Sequence, residues 1–566
     1  MTKRQGLVVA GATAAELGMG EQELPGLPGD ETQTDVPEST ATHRPLVAQM
    51  EAPTRQLGKP PRKGISRRAA LISVGVGALG LGAVGTGVGA ALLHRLTSPP
   101  DIFTVDAGRI AHLLRRAGFG PSPSDIGDYL DAGVDGAIDH LLSSSSVSND
   151  ALDQRLAGLH LDFTKVEDAI RWFLLRMIYS RRPLEEKLTL FWHGVLTSSL
   201  RKLGGKANYP LMIHQNQLLR AKGMGRFDDL LHAITIDPAM LYWLDGRLSS
   251  GNSPNENYSR EMMELFAMGL GNYTQNDVHQ GALALTGWVV RDGKSVFVPR
   301  RHYTGTVNFL GHSGKMGVDD IVNIVAAHPA TGKYLARRMW SFFVYDNPSD
   351  GDLQPLVDAY YHNDHSIGTM VRAMLKSPAF FGTKAYRARV KSPMEFLAGA
   401  IRGLGLETTG TGMTGIVTSL GQIPFEPPNV AGWPGDKASP AWISTQAWLT
   451  RVNFTNLLAT AATGTTPQSA KRATAPNITT AGSHPPVQEV IDQRKIKTPA
   501  ALADYYIAAL LDNQIDASHR TLLHDAAAQK SAKGPSFTLD GGTKVAAASM
   551  RQMLYLLMSA PEYQMN

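Results

Sequence analysis

Cysteine is absent from the 566 residues. That excludes disulfides, thiolate zinc sites, iron–sulfur clusters and a cysteine nucleophile together. Also missing are a GxSxG elbow, a Walker loop and an HExxH pair. The local signatures of serine hydrolases, P-loop nucleotidases and mononuclear zinc peptidases are therefore lacking. Charged residues make up only 19% of the chain, with 55 basic and 50 acidic side chains interspersed for a net +5 at pH 7. No long basic stripe carries interleaved aromatics, so the sequence predicts no nucleic-acid partner. Hydrophobic residues at 43% supply a large core, and the length suits two or three domains.

What the chain does have is Ser66-Arg67-Arg68, followed by an uncharged stretch from Ala69 to Leu93. Paired arginines before a Gly-rich apolar run resemble a twin-arginine export signal. Ser66, Arg67, Arg68 and Leu71 follow that pattern; Ala70 and Ile72 depart from it. Val88-Gly89-Ala90 offers a cleavage box. The resemblance implies the twin-arginine translocase as a partner, folding before export, and work outside the cytoplasm. The competing reading is an uncleaved membrane anchor. A run of this length, at about 1.5 Å per residue, reaches across a hydrocarbon core of roughly 30 Å. Gly75-Val76-Gly77-Ala78-Leu79-Gly80 matches GxGxxG, but no strand precedes it, so it is not a dinucleotide fingerprint.

Residues 1–65 are polar and lack an apolar period, which predicts disorder. Acids dominate positions 1–38 and bases positions 39–68, the order expected of a leader. A start at Met50 would give a leader of more ordinary length.

From about Asp106 the sequence reads as helices joined by short loops. Ser122-Pro123-Ser124-Asp125, Ser253-Pro254-Asn255-Glu256 and Ser392-Pro393-Met394-Glu395 each offer a Ser cap, a Pro at the first helical position and a carboxylate three residues after the cap. Asp237-Pro238 and Ser377-Pro378 predict further helix starts. The predicted helices are 107–117, 123–132, 165–180, 184–199, 208–222, 238–244, 254–268, 275–286, 319–328, 331–345, 366–376 and 393–403. Asp292-Gly293 between Trp288–Arg291 and Lys294–Phe297 predicts a hairpin, and a short strand is predicted over Thr306–Leu310. Ala500–Leu511 and Val545–Ser559 are amphipathic.

The sharpest chemical cluster is Glu256, Arg260 and Glu264. On a continuous helix they fall at i, i+4 and i+8 on one face, with Asn255 and Asn257 at its mouth. Two carboxylates and an arginine suit acid–base work or a divalent metal. The bland alternative is a capping box at Glu256 and a structural ion-pair ladder. His193 follows Phe191-Trp192, two turns beyond Glu186; it reads either as a ligand or as an interior histidine. A zinc site would need histidines from distant segments, with His112, His193, His302 and His312 as candidates. The loop Pro424–Gly435 holds four prolines and two glycines, and Trp433, Trp442 and Trp448 cluster near it. With Asn429, Glu426 and Asp436 it suits a polysaccharide cleft, or else it plugs one end of a helical core.

Several blocks together resemble the bacterial family catalogued as domain of unknown function eighteen hundred. They are His112-Leu113-Leu114-Arg115-Arg116-Ala117-Gly118-Phe119-Gly120, Glu186 to His193, Asp237 to Leu241, Asn255 to Leu265, Gly287-Trp288, Ala327 to Ala330, and Pro427 to Gly435. The likeness runs from about residue 107 to the C-terminus and is weakest over 459–500. It implies an exported, mainly helical protein without a settled reaction. It also implies an association with an exported partner that resembles sulfatases and alkaline phosphatases. The chain departs from the family at His302-Tyr303, where a His-Asp pair is common.

The sequence thus predicts a mainly α fold, a compact multi-helix body with one or two small β-hairpins. Its predicted parts are a polar region 1–65, a signal or anchor 66–93, a helical core 101–458, an Ala/Thr/Pro-rich linker or insertion 459–499, and C-terminal helices 500–566 that complete the core. The leading expectation for function is an exported cell-envelope protein, a hydrolase-like enzyme acting on envelope or extracellular polymer. Glu256, Glu264 and His193 would take acid–base or metal roles, Arg260 would orient them, and Asn255, Asn257, Asn429 and Trp433 would bind the ligand. The alternative is a non-catalytic scaffold paired with the sulfatase/phosphatase-like partner.

Overall fold

The structure, a computed structural model, describes residues 101–123, 125–464, 476–480, 484–530 and 534–566. Arg67, Arg68 and the segments 1–65 and 66–93 lie outside the described residues. The fold is mainly α, with small two-stranded antiparallel sheets. No helix among the described residues is long and apolar enough to cross a membrane.

Local chemistry sets many of the boundaries. Ser392 accepts from the Glu395 N–H while Glu395 accepts from the Ser392 N–H, closing a capping box on helix Pro393–Gly403. Asp237 caps helix Pro238–Trp243 through the Met240 N–H at 3.0 Å. The predicted hairpin forms, with Arg291 opposite Lys294 and both Asp292 and Gly293 at positive φ. Val307–Phe309 pairs with His312–Gly314 to make a second.

Other expectations are corrected. Helix Glu256–Glu261 is capped by Asn255, not Ser253, because the Asn255 side chain reaches the Asn257 N–H first. Helix Asp125–Leu130 starts three residues past Ser122, whose N–H nonetheless bonds Asp125 Oδ2 at 2.7 Å. Ser377-Pro378 opens only turns. Within the segment 459–499, expected to be a linker or insertion, the described residues carry structure: helix Thr445–Ala462 runs into it, Ile478–Thr480 pairs with Leu406–Thr408, and Pro486–Arg494 is helical, as an insertion can be.

Charged side chains lie within the interior. Arg116 and Arg389 are fully buried. Arg116 Nε donates to the Phe343 carbonyl at 2.7 Å and its Nη2 to the Val344 carbonyl, while Arg389 Nη1 donates to the Phe342 carbonyl. Two guanidiniums thereby satisfy the last carbonyls of helix Pro329–Phe343, where the helix dipole also favours positive charge. Lys187, equally buried, pairs with Glu395 and donates to the Gly118 carbonyl at 2.9 Å. Glu186 is clamped between Arg176 (2.9 Å) and Arg220 (2.8 Å). The chain end docks back on this region. Asn566 N–H bonds the Arg389 carbonyl at 2.7 Å, and helix Ala547–Ser559 packs along Thr445–Ala462.

Candidate functional site

Asn255 acts as both cap and strut. Its Oδ1 accepts from Asn257 N–H at 2.9 Å, and its Nδ2 donates to the carbonyls of Leu244 (3.3 Å) and Asp245 (3.2 Å). Asn257 itself is exposed. Glu256 makes no capping box. Its Oε2 accepts from Gln275 Nε2 at 2.8 Å and from Arg260 Nη2 at 3.5 Å, and its Oε1 lies 3.1 Å from His279 Nδ1. It ties its own helix to the neighbouring helix Gln275–Ala284.

At Met262 the helix changes repeat. Met262–Ala267 is a π-turn, with the Met268 N–H bonded to the Met263 carbonyl at 2.9 Å. Turns of this type widen a helix locally and recur at functional sites. Glu264 is thereby carried off the straight row predicted for it above Arg260. Arg260 turns instead to Gln275 Oε1 at 2.9 Å, and Glu264 Oε2 accepts from the Tyr273 hydroxyl at 2.8 Å. Met262, Met263, Phe266 and Ala267 are fully buried and pin the turn. From helix Pro329–Phe343, Tyr334 donates its hydroxyl to the Leu265 carbonyl at 2.6 Å, and Arg338 Nη1 donates to Tyr334 at 3.0 Å.

Glu261 stands immediately before this turn and is partly buried. Burial, and then the negative charge of Glu264, push its carboxyl up to about 7, against the pull of Arg260. Burial and the Glu264 carboxylate also raise the Tyr273 phenol, which stays a donor. One carboxyl poised near neutrality thus neighbours a second whose Oε2 is fixed by a hydroxyl. That division suits general acid–base chemistry. Sequence reasoning passed over Glu261; its signal was the i, i+3 spacing from Glu264 across two methionines. Lys437 lies within electrostatic reach of both Glu264 and Asp436.

The structure brings His193 and Trp433 together but encloses both. Their ring centroids are 5.3 Å apart. His193 Nε2 accepts from the Phe425 N–H at 2.9 Å, and burial lowers the imidazole to about 4. Trp433 is 2% exposed, packed with Val390 and Trp442, and so presents no open face to a sugar. Asn429 is exposed, and its Oδ1 accepts from the Ala431 N–H at 2.9 Å. Asp436 is fully enclosed. Desolvation pushes its carboxyl up to about 7 despite Arg389 and Arg338, and its Oδ1 has no hydrogen-bond partner. Among the described residues no hydrogen bond or ion pair joins His193 to Glu256 or Glu264.

The four candidate metal histidines do not converge. His112 sits among Phe103, Phe380, Phe381 and Tyr386, with Nε2 3.0 Å from the Phe380 carbonyl. His302 Nδ1 lies 3.0 Å from the Thr286 carbonyl, and His312 is exposed on its hairpin. Among the described residues, the one grouping of three metal-ligating side chains is Asp516, His519 and Glu562.

The resemblance blocks therefore map largely onto packing. His112, Arg116, Lys187, His193 and Asp237 join distant segments through buried polar contacts, and the Asn255–Leu265 block carries the half-buried carboxylates. Neither the curated proteins nor the solved structures contain a match to this chain. The profile of the family described as "Protein of unknown function (DUF1800)" matches residues 112–565. With most of its length matched from the His112 block to the penultimate residue, the chain belongs to that family.

Proposed function

We propose that this chain is an exported cell-envelope protein whose Glu261–Glu264 pair performs hydrolase-like acid–base chemistry on envelope or extracellular polymer. The observation that carries the reading is the placement of two carboxyls at a π-turn, Glu264 fixed by the Tyr273 hydroxyl at 2.8 Å and Glu261 partly buried just before it, where burial raises its carboxyl to about 7. In this scheme Glu261 donates a proton to the leaving group and Glu264 activates water, with Tyr273 fixing the Glu264 oxygen. Arg260, Gln275, Glu256 and His279 keep the two helices in register. His193 and Trp433 hold the 424–435 loop against the core. Export would run through the twin-arginine translocase by way of Arg67 and Arg68.

The test is release of soluble reducing ends from purified cell-wall polysaccharide by the full chain recovered after export. Glu261→Gln and Glu264→Gln should each abolish release while leaving the melting temperature within a few degrees. Release undiminished in both variants, or release absent from the wild type, refutes the acid–base reading in favour of a scaffold for the sulfatase/phosphatase-like partner.

A further inference from the structure

Asp516, His519 and Glu562 come from two segments that meet near the chain end. Asp516 caps helix Ala517–Ala528. Its Oδ1 accepts from the His519 N–H at 2.9 Å and from the Ser518 hydroxyl at 2.5 Å. That leaves Oδ2 turned to the His519 ring, 3.2 Å from Nδ1. Glu562 arrives from the short helix Pro561–Gln564, which follows Ala547–Ser559, and places Oε1 3.7 Å from the same nitrogen.

These contacts are ion pairs at close range that lack hydrogen-bond geometry. His519 Nδ1 and Glu562 Oε2 are both shut off from solvent and have no hydrogen-bond partner. A covered ring nitrogen and a covered carboxylate oxygen without hydrogen bonds cost free energy unless an ion pair or a bound cation satisfies them. One atom from each of the three residues lies within 4.8 Å of the others. Ligands held at roughly 2.0–2.2 Å in a tetrahedral zinc sphere stand about 3.4 Å apart. The separations of 3.2 and 3.7 Å bracket that edge.

We propose that Asp516 Oδ2, His519 Nδ1 and a Glu562 carboxylate oxygen bind one divalent cation of borderline softness, Zn²⁺ in preference to Mg²⁺ or Ca²⁺. A nitrogen with two carboxylates selects such an ion over the hard, oxygen-only cations. Three protein ligands leave a position for water, and the three side chains remain 16–26% exposed, so the site lies close to the surface. Arg387 is held by the carbonyls of Gln514 (2.8 Å) and Leu511 (2.8 Å) and does not fill the gap between the three ligands. A bound ion would clip the chain end, which also carries Gln564 and Asn566 against the core, to helix Ala517–Ala528.

The experiment is a competition titration of the chelator-stripped full chain with Zn²⁺ against a chromophoric chelator, paired with thermal melts. One equivalent should bind, and the melting temperature should rise with Zn²⁺ but not with Mg²⁺. Glu562→Gln and Asp516→Asn should each weaken binding by about a hundredfold. Asp516→Asn keeps an Oδ1 that caps the helix, so its metal-free melt should match the wild type and its loss of affinity cannot be assigned to unfolding. Absence of Zn²⁺ binding by the wild type, or undiminished affinity in both variants, would overturn the assignment.

Discussion

Replacing Glu395 by Gln removes one carboxylate from a buried cluster of cations. Glu395 is 4% exposed and Lys187 is 0% exposed, and each loses its water on folding. Despite burial, Lys187 and Arg389 hold the Glu395 carboxyl down to about 2, and burial lowers the Lys187 ammonium to about 8. Glutamine retains an oxygen for the Ser392 N–H, so the helix cap survives. What is lost is the partner of Lys187, which remains buried with Arg116 and Arg389 nearby. Breaking a buried pair on one side costs about 3–5 kcal/mol. For a body of this size, with an unfolding entropy of about 2.1 cal/mol/K per residue, that corresponds to a fall of roughly 3–5 °C in melting temperature. The assay is urea and thermal unfolding followed by circular dichroism. Adding Lys187→Met should recover part of the loss, since the uncompensated charge goes too, with a coupling of about 1–3 kcal/mol. The acid limb provides an independent check. A carboxyl depressed in the folded state stabilises above its unfolded pKa, and that contribution disappears as pH falls from about 4.5 towards 2; Glu395→Gln should lack this component. A cost below about 1 kcal/mol, or strict additivity with Lys187→Met, would refute the reasoning.

Glu256→Gln should change unfolding free energy by less than about 1 kcal/mol, because its pairs with Arg260 and His279 are a third or more exposed; chemical denaturation checks this. His193 is buried and lowered to about 4, so the unfolded chain takes up its proton first as pH falls. Stability of about 3 kcal/mol should be lost between pH 6.5 and 4, and a His193→Gln variant should lose correspondingly less over that window. Gly432 has φ +78°, and a Cβ there would meet the Gly194 carbonyl oxygen at 2.4 Å. Gly432→Ala should therefore cost at least about 1–3 kcal/mol in the same denaturation assay.

Where the chemistry is local, the sequence is a good guide. Ser392, Pro393 and Glu395 set a helix start to the residue, and Asp292-Gly293 sets a hairpin register, because each feature is decided within four residues. Helix Thr445–Ala462 was missed because it is buried on several sides, as Ala447, Arg451, Phe454, Thr455 and Leu458 show, and so displays no single apolar stripe. Asp350–His362 was missed because it carries Pro355 inside it, which reads as a breaker. At the site, the i, i+4, i+8 argument placed Glu256 and Arg260 together correctly and failed at Glu264. A π-turn alters the repeat, and Met262-Met263 gives no local sign of one. Lys187 and Glu395 lie 208 positions apart, and Asp516 and Glu562 meet only because the chain end folds back. No periodicity within a helix encodes such pairs.

Central to the proposed chemistry is a Glu261 carboxyl that titrates near neutrality. Carbon-13 NMR of protein labelled at the glutamate carboxyl, with Glu261→Gln used to assign the signal, measures this directly. A Glu261 titration near 7 that falls when Glu264 is replaced by Gln is the predicted result. A midpoint at the ordinary glutamate value of about 4.3, unmoved by Glu264→Gln, would contradict it.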